Sequence, residues 1–196
     1  MSFRKEFKYR ISISDQILLK QKLLLKGMFL LFPKRKVQSC YFDNSSRSMY
    51  FDSLEGILPR KKIRLRWYNS INKISKETKI SSFEGRFKTQ TFFYKNNFLK
   101  NFDHQFIDNY YGKITPIILI SYQREYFQYK NLRITFDNNI HYKNLRGFNK
   151  NCKDEECVIE IKTDSSLSND FVEKIMGMNV NGFSKYCRGI SLVNIS

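Results

Sequence analysis

Proline is scarce in this sequence, at three residues of 196, and no Pro/Gly/Ser-rich stretch divides it. Without a linker or an internal repeat, the reading is one domain over residues 1–196, long enough to bury a sizeable core. Histidine is scarcer still (His104 and His141), and the four cysteines, Cys40, Cys152, Cys157 and Cys187, form no CxxC pair. A zinc site is therefore not expected, and reduced, mostly buried thiols are. Long apolar runs are missing as well. The longest, Met28 to Pro33, falls far short of the ~20 residues that span a bilayer, and the opening residues lack the apolar segment of a secretion signal. A cytoplasmic protein without a membrane span is the expectation. No glycine-rich Walker loop occurs, which excludes P-loop chemistry.

Acidic residues are the last shortage. Asp plus Glu total 18 against 35 Lys plus Arg, a formal charge of +17 and a pI near 9.7. Self-repulsion on that scale calls for an anionic partner. Nucleic acid, an anionic membrane surface and a phosphate-rich substrate all qualify. The abundance of Asn, Lys, Ile and Phe also fits an AT-rich coding sequence, which would supply lysines without any function.

Hydrophobic residues make up 41% and aromatics 16%, enough for a packed core. Most of the pattern has period two and reads as strands: 3–11, 37–42, 62–68, 74–80, 86–93, 117–127, 132–136, 140–144 and 158–163. Helices are expected over Asp15–Met28, Phe98–Tyr111 and Asn169–Met178, the last behind a Ser168 cap. Asn69–Lys76 and Lys143–Asp154 read as loops. Many strands and few helices predict an α+β, mainly β fold with an antiparallel sheet closed or nearly closed on itself.

Residues two apart on a strand share a face. Lys62, Arg64 and Arg66 therefore project opposite Ile63, Leu65 and Trp67. Arg4, Glu6, Lys8 and Arg10 lie opposite Phe7, Tyr9 and Ile11. Glu77 pairs with Lys79 in the same way, as do Arg86 with Lys88, Tyr122 with Arg124, Arg133 with Asp137, and Glu160 with Lys162. One polar strand face is ordinarily just solvated. The same basic bias repeated from strand to strand predicts cations converging inside a barrel, where they need a polyanion. The acids on those faces, Glu6, Glu77, Glu160 and Asp137, could hold a divalent cation or buttress the arginines.

Arg4-x-Glu6-x-Lys8-Tyr9, Tyr41-Phe42-Asp43, Arg64-Leu65-Arg66-Trp67-Tyr68, Glu77-x-Lys79, Tyr122-x-Arg124, Glu160-Ile161-Lys162 and Phe183-Ser184-Lys185-Tyr186 occur in an order that resembles the VTC domain. This is the polyphosphate polymerase domain of the vacuolar transporter chaperone, within the triphosphate tunnel metalloenzymes. The resemblance implies an eight-stranded antiparallel tunnel barrel that binds ATP and inorganic polyphosphate with a divalent metal, manganese ahead of magnesium. It implies phosphate contacts from Lys8, Arg64, Arg66, Lys79, Arg124, Lys162 and Lys185, and hydroxyl donors in Tyr122 and Ser184. Lys88, with Arg60 and Lys62, is a further lining candidate, and Glu160 is implied as the metal ligand. Arg64, Arg66, Lys79 and Glu160 would then be the catalytic set. Three features depart from the pattern. Arg4 stands where the wider superfamily has its first acid, Gly182 stands where fungal relatives have Lys, and a short or absent C-terminal helix is expected.

These readings leave three activities open. The first is transfer of the ATP γ-phosphoryl to polyphosphate. The second is hydrolysis of triphosphate or short polyphosphate in the same fold, which needs a positioned water and more carboxylates. The third is a non-catalytic polyphosphate or nucleic-acid binder, which the 31 aromatics and the charge would suit. Because Phe and Trp fall mainly on apolar strand faces, DNA or RNA is not the expected partner.

Overall fold

The computed structural model describes residues 4–94, 105–147, 150–164, 167–178 and 182–193. The order is β1 (Arg4–Ile11), α1 (Ile13–Leu25), β2 (Phe29–Asp43), α2 (Ser48–Glu55), β3 (Arg60–Tyr68), β4 (Ser70–Ser82), β5 (Gly85–Tyr94), β6 (Phe106–Asp108), β7 (Gly112–Tyr129), β8 (Leu132–Asn144), β9 (Asn151–Lys153), β10 (Cys157–Asp164), α3 (Asn169–Met176) and α4 (Lys185–Leu192). The strands pair in the order β1-β10-β8-β7-β2-β3-β4-β5, with β6 on β7 and β9 on β8. The mainly β, antiparallel fold class read from the alternation is the one observed.

The chain forms two compact units, 1–35 with 122–140 and 153–183, and 36–121 with 141–152 and 184–196. In the first, the alternation puts Phe7, Tyr9, Ile11, Ile159, Ile161, Ile134, Phe136, Phe127 and Tyr129 on one sheet face. Leu19 and Leu23 of α1 and Val172 and Met176 of α3 cover it. Each fully buried side chain of this kind stabilises by about 1.5–3 kcal/mol. Ser12 and Ser168 accept from the N–H groups of Asp15 and Phe171, so both helices begin at side-chain caps. Their C-terminal ends come earlier than the sequence reading placed them.

In the second unit, Ile63, Leu65 and Trp67 of β3 pack with Cys40, Phe42, Met49, Ile74 and Ile114. Two local expectations fail here. Asn69–Lys76 is largely strand, because Ser70–Ser82 pairs with β3 and β5 on both sides; cross-strand pairing overrides weak local propensity. Of the helix expected over 98–111, residues 98–104 lie outside the described residues, and Phe106–Asp108 is a strand paired with β7. The C-terminal helix, expected to be short or absent, is short, at eight residues. It packs closely because Gly189 has no side chain: a Cβ there would lie 2.5 Å from the Tyr142 ring.

Candidate phosphate-binding faces

The polar face of β3, β4 and β5 in the second unit is a grid set by register. Lys62 lies opposite Lys79, which lies opposite Lys88. In the next row Tyr41, Arg64, Glu77 and Gln90 stand side by side, followed by Ser39, Arg66 and Ser75. Like charges placed directly across strands destabilise a sheet, so a row of three lysines costs stability unless an anion meets it. Glu77 is the carboxylate within this grid. It is buried, with Arg64 Nε and Nη2 at 2.8 and 2.5 Å, Lys88 Nζ at 2.8 Å and Arg66 Nη1 at 4.0 Å. Burial alone would raise its pKa, but the Arg64 and Arg66 charges and the Lys88 and Arg64 hydrogen bonds outweigh burial and hold it at about 2.

A carboxylate depressed in the folded state contributes stability that is present above its unfolded value, and is lost as pH falls from there towards about 2. Glu77→Gln should therefore destabilise the ligand-free protein at neutral pH by about 3 kcal/mol, since it strips a buried partner from two arginines. It should also flatten the loss of stability on acidification. Urea titrations of both proteins from pH 7 down to about 2.5 check this, and an unchanged acid limb would count against the pairing.

Arg64 is held from its other side by a residue that the sequence reading gave no role. Its Nη1 donates to Tyr41 Oη at 2.7 Å, and Tyr41 stacks on Tyr186 of α4, ring centres 5.0 Å apart. Tyr186 in turn donates to Asp43 at 2.6 Å. Asp43 is fully buried and also accepts the N–H groups of Asn44, Met49 and Tyr50, so it caps α2 from outside. α2 needs that cap, because the residue at its N-cap, Arg47, is left-handed and makes no side-chain cap bond. Burial would raise the Tyr41 pKa, but Arg64, Arg66 and Lys62 together bring it down to about 8. Ser184 accepts from Lys62 Nζ at 2.9 Å and from the N–H of Cys187, so its hydroxyl caps α4. Lys185 is the first residue of that helix.

In the first unit, β1, β10 and β8 present a mixed face. Glu6 lies opposite Lys162 and Lys8 opposite Glu160, while Arg133 and Thr135 flank Lys162 and Glu160 from β8. Arg124 is the largely buried centre. Nε and Nη2 reach the two oxygens of Asp137 at 2.5 and 2.7 Å, Nη2 reaches Glu160 Oε2 at 3.2 Å, and its guanidinium lies 5.3 Å from the Tyr122 ring centre. Glu160 Oε1 meets Lys162 at 3.0 Å, and Lys8 meets Glu6 at 3.1 Å. Two arginines without an assigned role stand on this unit as well. Arg133 and Arg35 each lie over both rings of the Phe32–Tyr126 pair, at 5.6–5.8 Å.

The expected site residues therefore fall into two sets. Arg64, Arg66, Lys79, Lys88 and Ser184 come together with Lys62 and Tyr41 in one unit, and Lys8, Tyr122, Arg124, Glu160 and Lys162 in the other. Among the described residues no group of three or more His, Cys, Asp or Glu could hold a metal ion. Glu160 presents a carboxylate on the basic face with one oxygen on the partly exposed Lys162. That donor set fits a hard cation held jointly by one carboxylate and a bound phosphate chain, as magnesium-type sites are, and does not fit a closed protein cage. The sequence could not reveal Asp137 as the main partner of Arg124, since thirteen residues and a turn separate them.

The chain also matches known proteins. No curated protein sequence matches it. Its fold is shared with a candidate adenylate cyclase of Vibrio parahaemolyticus (15% identity, 97% of this chain and 98% of the other, TM-score 0.54) and with one of Bacillus halodurans (11%, 94% and 97%, 0.56). A candidate adenylyl cyclase of Hippeastrum with a dominant triphosphatase activity is similar to the same extent (13%, 96% and 96%, 0.54). At such identities the likeness carries the fold alone. The family model of the VTC domain, however, matches residues 3–194, and a match over nearly the full length makes this chain a member of the VTC domain family.

Proposed function

We propose that the protein is a polyphosphate polymerase, transferring the γ-phosphoryl of ATP to the end of an inorganic polyphosphate chain. The observation that carries this reading is the register-built row Lys62–Lys79–Lys88 beside Arg64, Arg66 and a single carboxylate, Glu77. A chain of phosphates offers repeating charges that such a grid can meet at several points at once, and arginine forks suit phosphate oxygens in pairs. Phosphoryl transfer asks the protein mainly for alignment and charge neutralisation. A terminal oxygen of the acceptor chain forms a bond to the γ-phosphorus as the bond to the β–γ bridging oxygen breaks. ADP leaves, and the acceptor gains one phosphate. Arg64 and Arg66 hold the reacting phosphates, Lys79 and Lys88 the neighbouring ones, and Tyr41 keeps the Arg64 fork oriented. On the basic face of the first unit, Arg124, Lys162 and Lys8 are that face's own phosphate contacts. The family implies a divalent metal. Glu160 would hold it, manganese in preference to magnesium, and when bound it would neutralise charge on a non-bridging phosphate oxygen.

The competing reading, hydrolysis, draws on the triphosphatase activity of the Hippeastrum protein. It needs carboxylates to position water. On these two faces Glu77 and Asp137 are each held by arginine or lysine and Glu160 is assigned to the metal, which favours transfer.

The test is to incubate the pure protein with ATP and Mn²⁺ and to follow ADP, polyphosphate and orthophosphate. ADP appearing with polyphosphate supports the polymerase, and ADP with matching orthophosphate supports the hydrolase. No turnover, with tripolyphosphate raising the melting temperature, supports a binding protein. Glu160→Gln should lose most turnover while keeping tripolyphosphate binding. Wild-type turnover and metal dependence in that variant would overturn the metal assignment.

A further inference from the structure

Between Asp15 and Asp43 the sequence has no acidic residue, and Lys20, Lys22, Lys26, Lys34, Arg35 and Lys36 all fall in that stretch. The fold turns the middle of it outward. α1 buries Leu19 and Leu23 and leaves Leu24 and Leu25 in solvent, Leu25 being 90% exposed. After the Lys26–Gly27 turn, β2 begins with Phe29 and Leu30 at 56% and 57% exposure, followed by Phe32 at 42%. Consecutive strand residues point to opposite faces, so exposure of both Phe29 and Leu30 means that this end of β2 is bare on both sides. Leu24, Leu25, Phe29 and Leu30, joined by the short Lys26–Gly27 turn, make an exposed apolar tip, whereas Phe32 beyond them packs edge-on against Tyr126. Lys26 and Lys34, both exposed, flank it.

Scattered surface leucines are ordinary, but a contiguous apolar projection marks an interaction surface. Its flanking charge selects the partner. Bulky apolar side chains flanked by the exposed Lys26 and Lys34 match the boundary of an anionic bilayer, where the side chains enter the acyl region and the lysines meet the headgroups. We infer that the α1–β2 turn is a peripheral docking site for anionic membrane surfaces. The inference is independent of the phosphate chemistry, since none of these residues belongs to the two basic faces. It requires no membrane span, and among the described residues no helix is long and apolar enough to form one.

The experiment uses the full chain and sedimentation with vesicles of phosphatidylcholine, with and without about 30 mol% phosphatidylserine. The overall positive charge will itself attract anionic vesicles, so the decisive arm is run at about 0.5 M salt, where surface electrostatics are screened. Wild-type protein should still sediment with phosphatidylserine vesicles there. The exposed pair Leu25→Gln/Phe29→Gln should lose on the order of tenfold or more in vesicle affinity, with its melting temperature and stabilisation by tripolyphosphate unchanged. Lys26→Gln/Lys34→Gln should weaken the preference for phosphatidylserine at low salt. Equal binding by wild type and the Leu25/Phe29 variant, or complete release of wild type by salt, would overturn the proposal. So would a variant that turns a dimer into a monomer with vesicle binding intact, because the projection would then be a self-interface.

Discussion

Arg64→Ala should lower polyphosphate synthesis on the order of 10²–10³-fold, the usual cost of removing a preorganised donor aimed at developing charge. Arg64 is gripped from both sides. Its guanidinium bridges the Glu77 carboxylate and the Tyr41 hydroxyl, and that bridge fixes the direction in which the fork faces substrate. Arg64→Lys keeps the charge and loses the fork, so it should recover only part of the activity. Tyr41→Phe leaves charge and shape in place and releases one side of the guanidinium, and a loss of a few-fold in turnover with little change in tripolyphosphate binding marks it as a positioning residue. Turnover and tripolyphosphate affinity measured on all three variants separate these effects. An Arg64→Ala protein that is folded, as judged by its melting temperature, and retains wild-type turnover would remove the β3 face from the reaction.

Asp137→Ala should be the most damaging stability change. Asp137 is fully buried and accepts both hydrogen bonds of the Arg124 fork. Removing it leaves a buried guanidinium with Glu160 as its remaining carboxylate partner among the contacts resolved here. Stripping one partner from a buried ion pair typically costs about 3–5 kcal/mol, which in a chain of this size lowers the melting temperature by about 10 °C. The double variant Asp137→Ala/Arg124→Ala should lose less than the sum of the two single losses, because the stranded charge goes too. Urea unfolding of the four proteins gives the coupling directly. A single-variant loss below about 1 kcal/mol would mean that water reaches Arg124.

Alternation alone was enough to place the cationic faces. Lys62, Arg64 and Arg66 could be assigned one side and Ile63, Leu65 and Trp67 the other, since a strand leaves a side chain only two directions. The same rule located most strands and the mainly β class, and Ser12 and Ser168 announced two helices through local caps. What alternation did not place was structure whose cause lies far away in the chain. α2 is capped by Asp43 and contains little periodic signal, and α4 is seated by Gly189 against Tyr142 and Ile118. β4 contains a polar stretch that becomes strand only because neighbours pair with both of its edges. β2 begins at Phe29, eight residues before its alternation does, because both sides of its first part are exposed and no burial pattern is imposed there. The site divides along the same line. Residue types and spacing determined which cations share a face. Only the tertiary structure decided that Arg64 is held between Glu77 and Tyr41, and Arg124 by Asp137, because hydrogen-bond partners depend on which strands lie side by side.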